Sequence, residues 1–146
     1  MGKKVIVLYG KGNCGKTTTI GMVYKKISNK FTDHEVKLKP CEEDVETKAI
    51  IVINGVKIGI ESQGDPPYDR LLKSILEFVN AECDVIICVT RVWGRSVKLV
   101  CDEVVSMGYE DVWFRQQYGQ TDSDKMELCD HMANQIFSKL EEIVRA

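Results

Sequence analysis

Residues 10–17 read Gly-Lys-Gly-Asn-Cys-Gly-Lys-Thr, a run whose residue types and spacing can hold a phosphate chain. Gly10, Gly12 and Gly15 allow a tight loop whose backbone N–H groups turn inward. A helix starting just after the loop adds the positive end of its dipole to the same anion site. Lys16 is placed to reach the β- and γ-phosphates. Thr17 offers a hydroxyl to Mg²⁺, a cation that takes few protein ligands and keeps several waters. Lys11, Asn13, Cys14 and Thr18 complete the candidate nucleotide-binding set.

Such a loop needs a strand before it and a helix after it. Residues 4–9 are continuously apolar and β-branched after Lys4, as a central strand covered on both faces requires. A helix over 16–28 carries Ile20, Val23, Tyr24 and Ile27 on one stripe, with Asn29 as its stop. The polar stretch 29–47, with Pro40 and the cluster Glu42-Glu43-Asp44, reads as an exposed connection. Strand-like runs at 49–53 and 56–60 flank Asn54-Gly55, a strong hairpin signal. The spacing of Leu71, Leu72, Ile75, Leu76 and Val79 predicts a helix over 67–80.

Residues 84–90 are a second buried strand. Ser96 can cap a helix running to Met107, with Val97, Val100, Cys101, Val104 and Val105 along it and Gly108 at its stop. A short strand over 111–114 follows. After a polar loop, the C-terminal helix aligns Met126, Cys129, Met132, Ala133, Ile136, Phe137, Leu140 and Ile143 as a core stripe. Repeated strand-then-helix units predict one α/β domain over 1–146. Its three-layer sheet would be mostly parallel with an antiparallel hairpin, binding ligand at the strand carboxyl ends.

Those carboxyl ends supply the remaining candidates. The second hairpin strand opens into Glu61-Ser62-Gln63-Gly64-Asp65. Glu61 is the first choice to hold the water shell of Mg²⁺ or orient an attacking water. Asp65 is second, and it equally suits capping the following helix. Gln63 is either a water-positioning group or a polar loop residue. The later strand ends in Thr90-Arg91-Val92-Trp93-Gly94-Arg95, where two arginines suit developing phosphate charge or an acidic second substrate. The candidate catalytic set is thus Lys16, Glu61 and Arg91, and the candidate metal set Thr17, Glu61 and Asp65.

Twenty basic against 22 acidic residues give no overall electrostatic footprint for nucleic acid or an anionic membrane. The first apolar run is too short for a signal-peptide core or a membrane span, and the expected location is cytoplasmic. Six cysteines show no C-x-x-C spacing, and neither His34 nor His131 completes a zinc-like cluster. Most of the thiols fit as small buried hydrophobes. Cys14 is the exception: inside the loop, near helical N–H groups and Lys16, its thiol is a candidate for redox sensitivity.

The stretch from Tyr9 to Thr19 resembles the deviant Walker A of the nitrogenase iron protein and of the partition and septum-positioning ATPases. Those families carry a lysine where Lys11 stands. The resemblance implies a nucleotide-dependent homodimer in which that lysine contacts the partner's nucleotide. Asn13 replaces the usual second glycine, and this chain is much shorter. The Asn54-Gly55 hairpin followed by Glu61-x-x-Gly64 is similar instead to the strand pair and D-x-x-G switch of small GTPases, with Glu in place of Asp. Phe114-Arg115-Gln116-Gln117 stands where a guanine-reading N-K-x-D would be expected.

What the two resemblances share is the P-loop NTPase superfamily; with no guanine-reading motif, ATP is expected over GTP, with Mg²⁺ as cofactor. Three functions follow as expectations: a Mg-dependent NTPase acting as a nucleotide switch, a small-molecule or nucleotide kinase, and a non-catalytic nucleotide sensor or assembly subunit.

Overall fold

Apolar runs without alternation belong where a sheet is covered on both faces, and residues 5–8 and 85–89 take that place with almost no exposure. The computed structural model describes residues 2–12, 14–31, 35–38, 47–64, 66–117 and 119–145. In chain order the elements are β1 (Lys4–Tyr9), α1 (Lys16–Lys30), β2 (Glu35–Leu38), β3 (Lys48–Ile53), β4 (Val56–Glu61) and α2 (Asp69–Asn80). There follow β5 (Val85–Thr90), α3 (Arg95–Glu103), β6 (Glu110–Arg115) and α4 (Asp122–Arg145).

The six strands lie in the order β2-β3-β4-β5-β1-β6. β1 pairs parallel with β5 and with β6, and β4 pairs parallel with β5. β3 alone runs against its neighbours, antiparallel to β2 and to β4. The hairpin between β3 and β4 closes through Asn54 (φ 51°) and Gly55 (φ 79°), with Ile53 opposite Val56. Two successive left-handed residues match the twist of the strands they join.

Side chains alternate between the two faces. Ile6, Leu8, Ile58, Ile60, Ile87 and Val89 pack with α1 and α4 on one face. Val5, Val7, Ile86 and Cys88 pack with α2 and α3 on the other. The helix after β1 therefore covers one face and the helix after β5 the opposite one, although the two strands are parallel neighbours. Chains leaving in opposite directions open a crevice at the carboxyl ends of β1 and β5, the place where open α/β sheets bind ligands.

Several expectations are revised. The connection 29–47 contains β2, an edge strand of four residues too short to stand out by pattern; His34, Pro40, Cys41 and the acidic cluster lie outside the described residues. α2 begins at Asp69, and its buried face is Leu71, Ser74, Ile75 and Phe78, while Leu72 and Leu76 are 36% and 40% exposed. A run of leucines on both flanks of one stripe leaves its centre undefined by spacing alone. α3 stops at Glu103, and a 3₁₀ turn over Val105–Met107 leads to Gly108 at φ 96°. Cys101 and Met126 face outward, so the helical stripes are narrower than their apolar residues.

Gly59 lets α2 pack closely on the sheet: a Cβ there would stand 2.5–2.8 Å from the ring of fully buried Phe78. Gly59→Ala is expected to lower the urea-unfolding free energy by about 1–3 kcal/mol, the usual cost of overpacking, with the fold retained in circular dichroism.

Candidate functional site

β1 delivers the chain to the crevice at Tyr9, and the next residues turn back over it. The Lys16 ammonium folds into this turn, donating to the Gly10 carbonyl at 2.7 Å and the Lys11 carbonyl at 2.8 Å. Only 5% of Lys16 is exposed. Gly15 precedes α1 in the left-handed region at φ 99°, a conformation glycine adopts without penalty. Among the described residues no side chain caps α1, and no acidic residue lies in its first turn. The N-terminal N–H groups and the dipole are therefore uncompensated by local anionic side chains. Thr17 is half-buried and Thr18 exposed at this end.

Packing closes the loop from both faces. A Cβ on Gly10 would meet Cys14 Sγ at 2.8 Å, and one on Gly15 would meet Cys129 Sγ at 2.7 Å. Cys14, the candidate for redox sensitivity, is 3% exposed, so its thiol is shielded. Gln116, at the end of β6, ties the neighbouring strands to the helix. Its N–H donates to Tyr9 O at 2.8 Å, and its Oε1 accepts from Thr19 Oγ1 at 2.6 Å.

Arg91 comes to the same loop from β5. A Cβ on Gly12 would stand 2.7–2.9 Å from the Arg91 guanidinium, so the lack of a side chain at 12 is what lets the two loops meet. The Arg91 N–H donates to the hydroxyl of buried Ser96 at 2.9 Å. Ser96 was expected to cap α3; Gly94, at φ 99°, takes that position, and Ser96 braces the loop instead. Lys11, Lys16 and Arg91 thus bring three cationic side chains to one turn. Trp93 is 82% exposed beyond it. Beside Arg95 a groove of about 340 Å³ opens between Pro67, Tyr68 and Leu72 on one wall and Lys98 and Leu99 on the other.

Glu61 stands apart from this cluster. It is fully buried on the α2 side of the sheet, the face opposite α1. Arg70 Nε donates to Oε1 at 2.9 Å and Arg70 Nη2 to Oε2 at 3.3 Å, while Ser74 Oγ donates to Oε1 at 2.7 Å. Burial, with Glu61 as the second cause, pushes the Cys88 thiol up to about 12. Since β5 lies between β4 and β1, Glu61 is a strand removed from the loop's own strand. Asn13 and Asp65 lie outside the described residues.

Sequence reasoning missed Arg70, Ser74 and Gln116. Arg70 and Ser74 read as ordinary polar positions of a surface helix, because only the fold sets them against the end of β4. Among the described residues no three His, Cys, Asp or Glu side chains gather as a metal cage, and no helix is long and apolar enough to cross a membrane.

Replacing Arg70 by Met leaves a buried carboxylate short of its donors, and unfolding free energy is expected to fall by about 1–3 kcal/mol; Ser74→Ala should cost less, as read from urea midpoints. A second expectation concerns alkali. Burial holds the Cys83 thiol at about 11 and that of Cys88 at about 12, against 9.0 for a free thiol. Both stay protonated in the folded chain after the unfolded chain has begun to ionise. Stability is therefore complete below pH 9 and falls as pH rises from there towards 11. In the native protein near neutral pH, exposed Cys101 should alkylate while Cys83 and Cys88 do not.

Comparison with protein-family models, with curated proteins and with solved structures gives no match.

Proposed function

We propose that the chain binds a Mg²⁺-nucleoside triphosphate, ATP in preference to GTP, in the crevice between the loops after β1 and β5, and that it is a P-loop NTPase acting as a nucleotide switch. The observation that carries this reading is the Lys16 ammonium, held inside a glycine-rich turn by two carbonyls at an uncapped helix start. A triphosphate supplies better acceptors than those carbonyls, because its oxygens carry a negative charge opposite to the ammonium and the carbonyls do not. The loop N–H groups then take the β-phosphate, Thr17 offers its hydroxyl to Mg²⁺, and Arg91 faces the charge that develops on the transferred phosphoryl group.

Glu61 fits this scheme as the carboxylate that handles the metal's water shell once its hold on Arg70 loosens. Slow turnover in the resting state follows, which suits a switch more than a fast hydrolase. A kinase is the second reading, favoured by the groove beside Arg95: its volume suits a small acceptor, and Arg95 and Lys98 would meet an anionic one.

Calorimetric titration with Mg·ATP, paired with a phosphate-release assay, tests the proposal. Lys16→Ala should weaken ATP binding roughly ten- to a hundred-fold, matching about 1.5–3 kcal/mol for a lost charged hydrogen bond. Glu61→Gln should spare affinity and slow phosphate release. Unaltered ATP affinity in Lys16→Ala would refute the phosphate grip, and label appearing on an added acceptor would move the assignment to the kinase.

A further inference from the structure

β6 closes one side of the sheet and, among the described residues, pairs only with β1. Glu110 N–H donates to Lys3 O and Gln116 N–H to Tyr9 O, so the even-numbered residues of this strand turn their backbone groups inward. Backbone groups alternate along a strand. Asp111, Trp113 and Arg115 therefore turn their N–H and C=O groups to the open edge. Side chains at these positions share one sheet face, where Trp113 is half-buried against the α2–α3 cluster, and Val112 and Phe114 share the other. An open edge of this kind is a template for strand addition.

The sequence of the edge matches its own reverse. A two-fold axis perpendicular to the sheet keeps each face on its own side, so directly opposed residues in an antiparallel pair must both be odd or both even. With Trp113 on the axis, Asp111 faces Arg115 of the second copy, and Val112 faces its Phe114. That register places opposite charges at both ends and aromatic or branched side chains between them, the pairings that stabilise a sheet. It also sets outward backbone groups against outward backbone groups. With Val112 on the axis, Glu110 would face Phe114 and Asp111 would face Trp113, losing both charge pairs. Among the described residues Arg115 has no ion-pair partner, and Asp111 Oδ2 accepts from Trp113 Nε1 at 2.6 Å, leaving Oδ1 for a second donor.

We infer that β6 is a self-association edge: two copies of this chain pair their β6 strands antiparallel about a two-fold axis at Trp113, joining two sheets into one. The interface is isologous, each Asp111 meeting the other copy's Arg115. Its pairing groups are the backbone groups that face away from β1, so it forms without nucleotide and stands whether or not the chain binds ATP.

Sedimentation velocity on the full chain without nucleotide tests this, with Asp111→Arg, Arg115→Glu and the charge-swapped double variant Asp111→Arg/Arg115→Asp. A single strand-edge contact falls below the standard interface size, so association is expected at about 10–100 µM. Over that range the wild-type mass should climb from 16.5 kDa towards twice that value. Each single variant puts like charges across the axis and should associate about ten-fold more weakly, while the double variant restores pairing. In the wild type, the amides of Asp111, Trp113 and Arg115 should exchange more slowly as concentration rises. A monomer at about 1 mM, single variants that dimerise as the wild type does, or a double variant as weak as the singles would each overturn the proposal.

Discussion

The molecule depends on one constraint: β1 is buried on both faces and paired on both edges. Residues 5–8 have no exposed surface, β5 lies along one edge and β6 along the other. A strand so enclosed can turn back only at its carboxyl end, and there α1 must leave towards one face while α3, following β5, leaves towards the other. The sharp reversal over residues 10–15 is the geometric result. The left-handed Gly15 and the side-chain-free Gly10 and Gly12 are the residues that let the backbone make it against Cys129, Cys14 and Arg91.

Electrostatics follow from this geometry. A helix start without a capping side chain, an ammonium drawn back onto carbonyls and a guanidinium on the facing loop put positive charge and hydrogen-bond donors into one small volume. The carboxylate that sequence spacing pairs with them, Glu61, is held on the opposite face by Arg70 and Ser74. The cationic turn and the buried carboxylate are therefore separate features of this chain, the one built on backbone carbonyls and the other on Arg70 and Ser74.

Legibility from sequence divides along physical lines. β1, β5 and the Asn54-Gly55 hairpin were readable because continuous burial and paired left-handed residues each leave a strong local signature. The turn between β1 and α1 was readable for the same reason, since its glycines and Lys16 lie within eight consecutive residues. What failed was decided at long range. The register of α2 depends on which side of a broad leucine band meets the sheet, so Leu72 and Leu76 were misplaced while Phe78 went unnoticed against Gly59. Ser96 looked like a helix cap, yet the Arg91 backbone claims its hydroxyl. Arg70 and Gln116 carry no local mark of their contacts, because Glu61 and Thr19 are their neighbours only in the folded chain.

Whether the turn between β1 and α1 holds the phosphates of a nucleotide is read from amide chemical-shift mapping of the isotopically labelled chain during a Mg·ATP titration. Phosphate binding there gives saturable shifts at Gly10, Gly12, Gly15, Lys16 and Thr17, with Arg91 moving in step. No shift at these amides at millimolar nucleotide, or saturable shifts confined to the groove between α2 and α3, would contradict it.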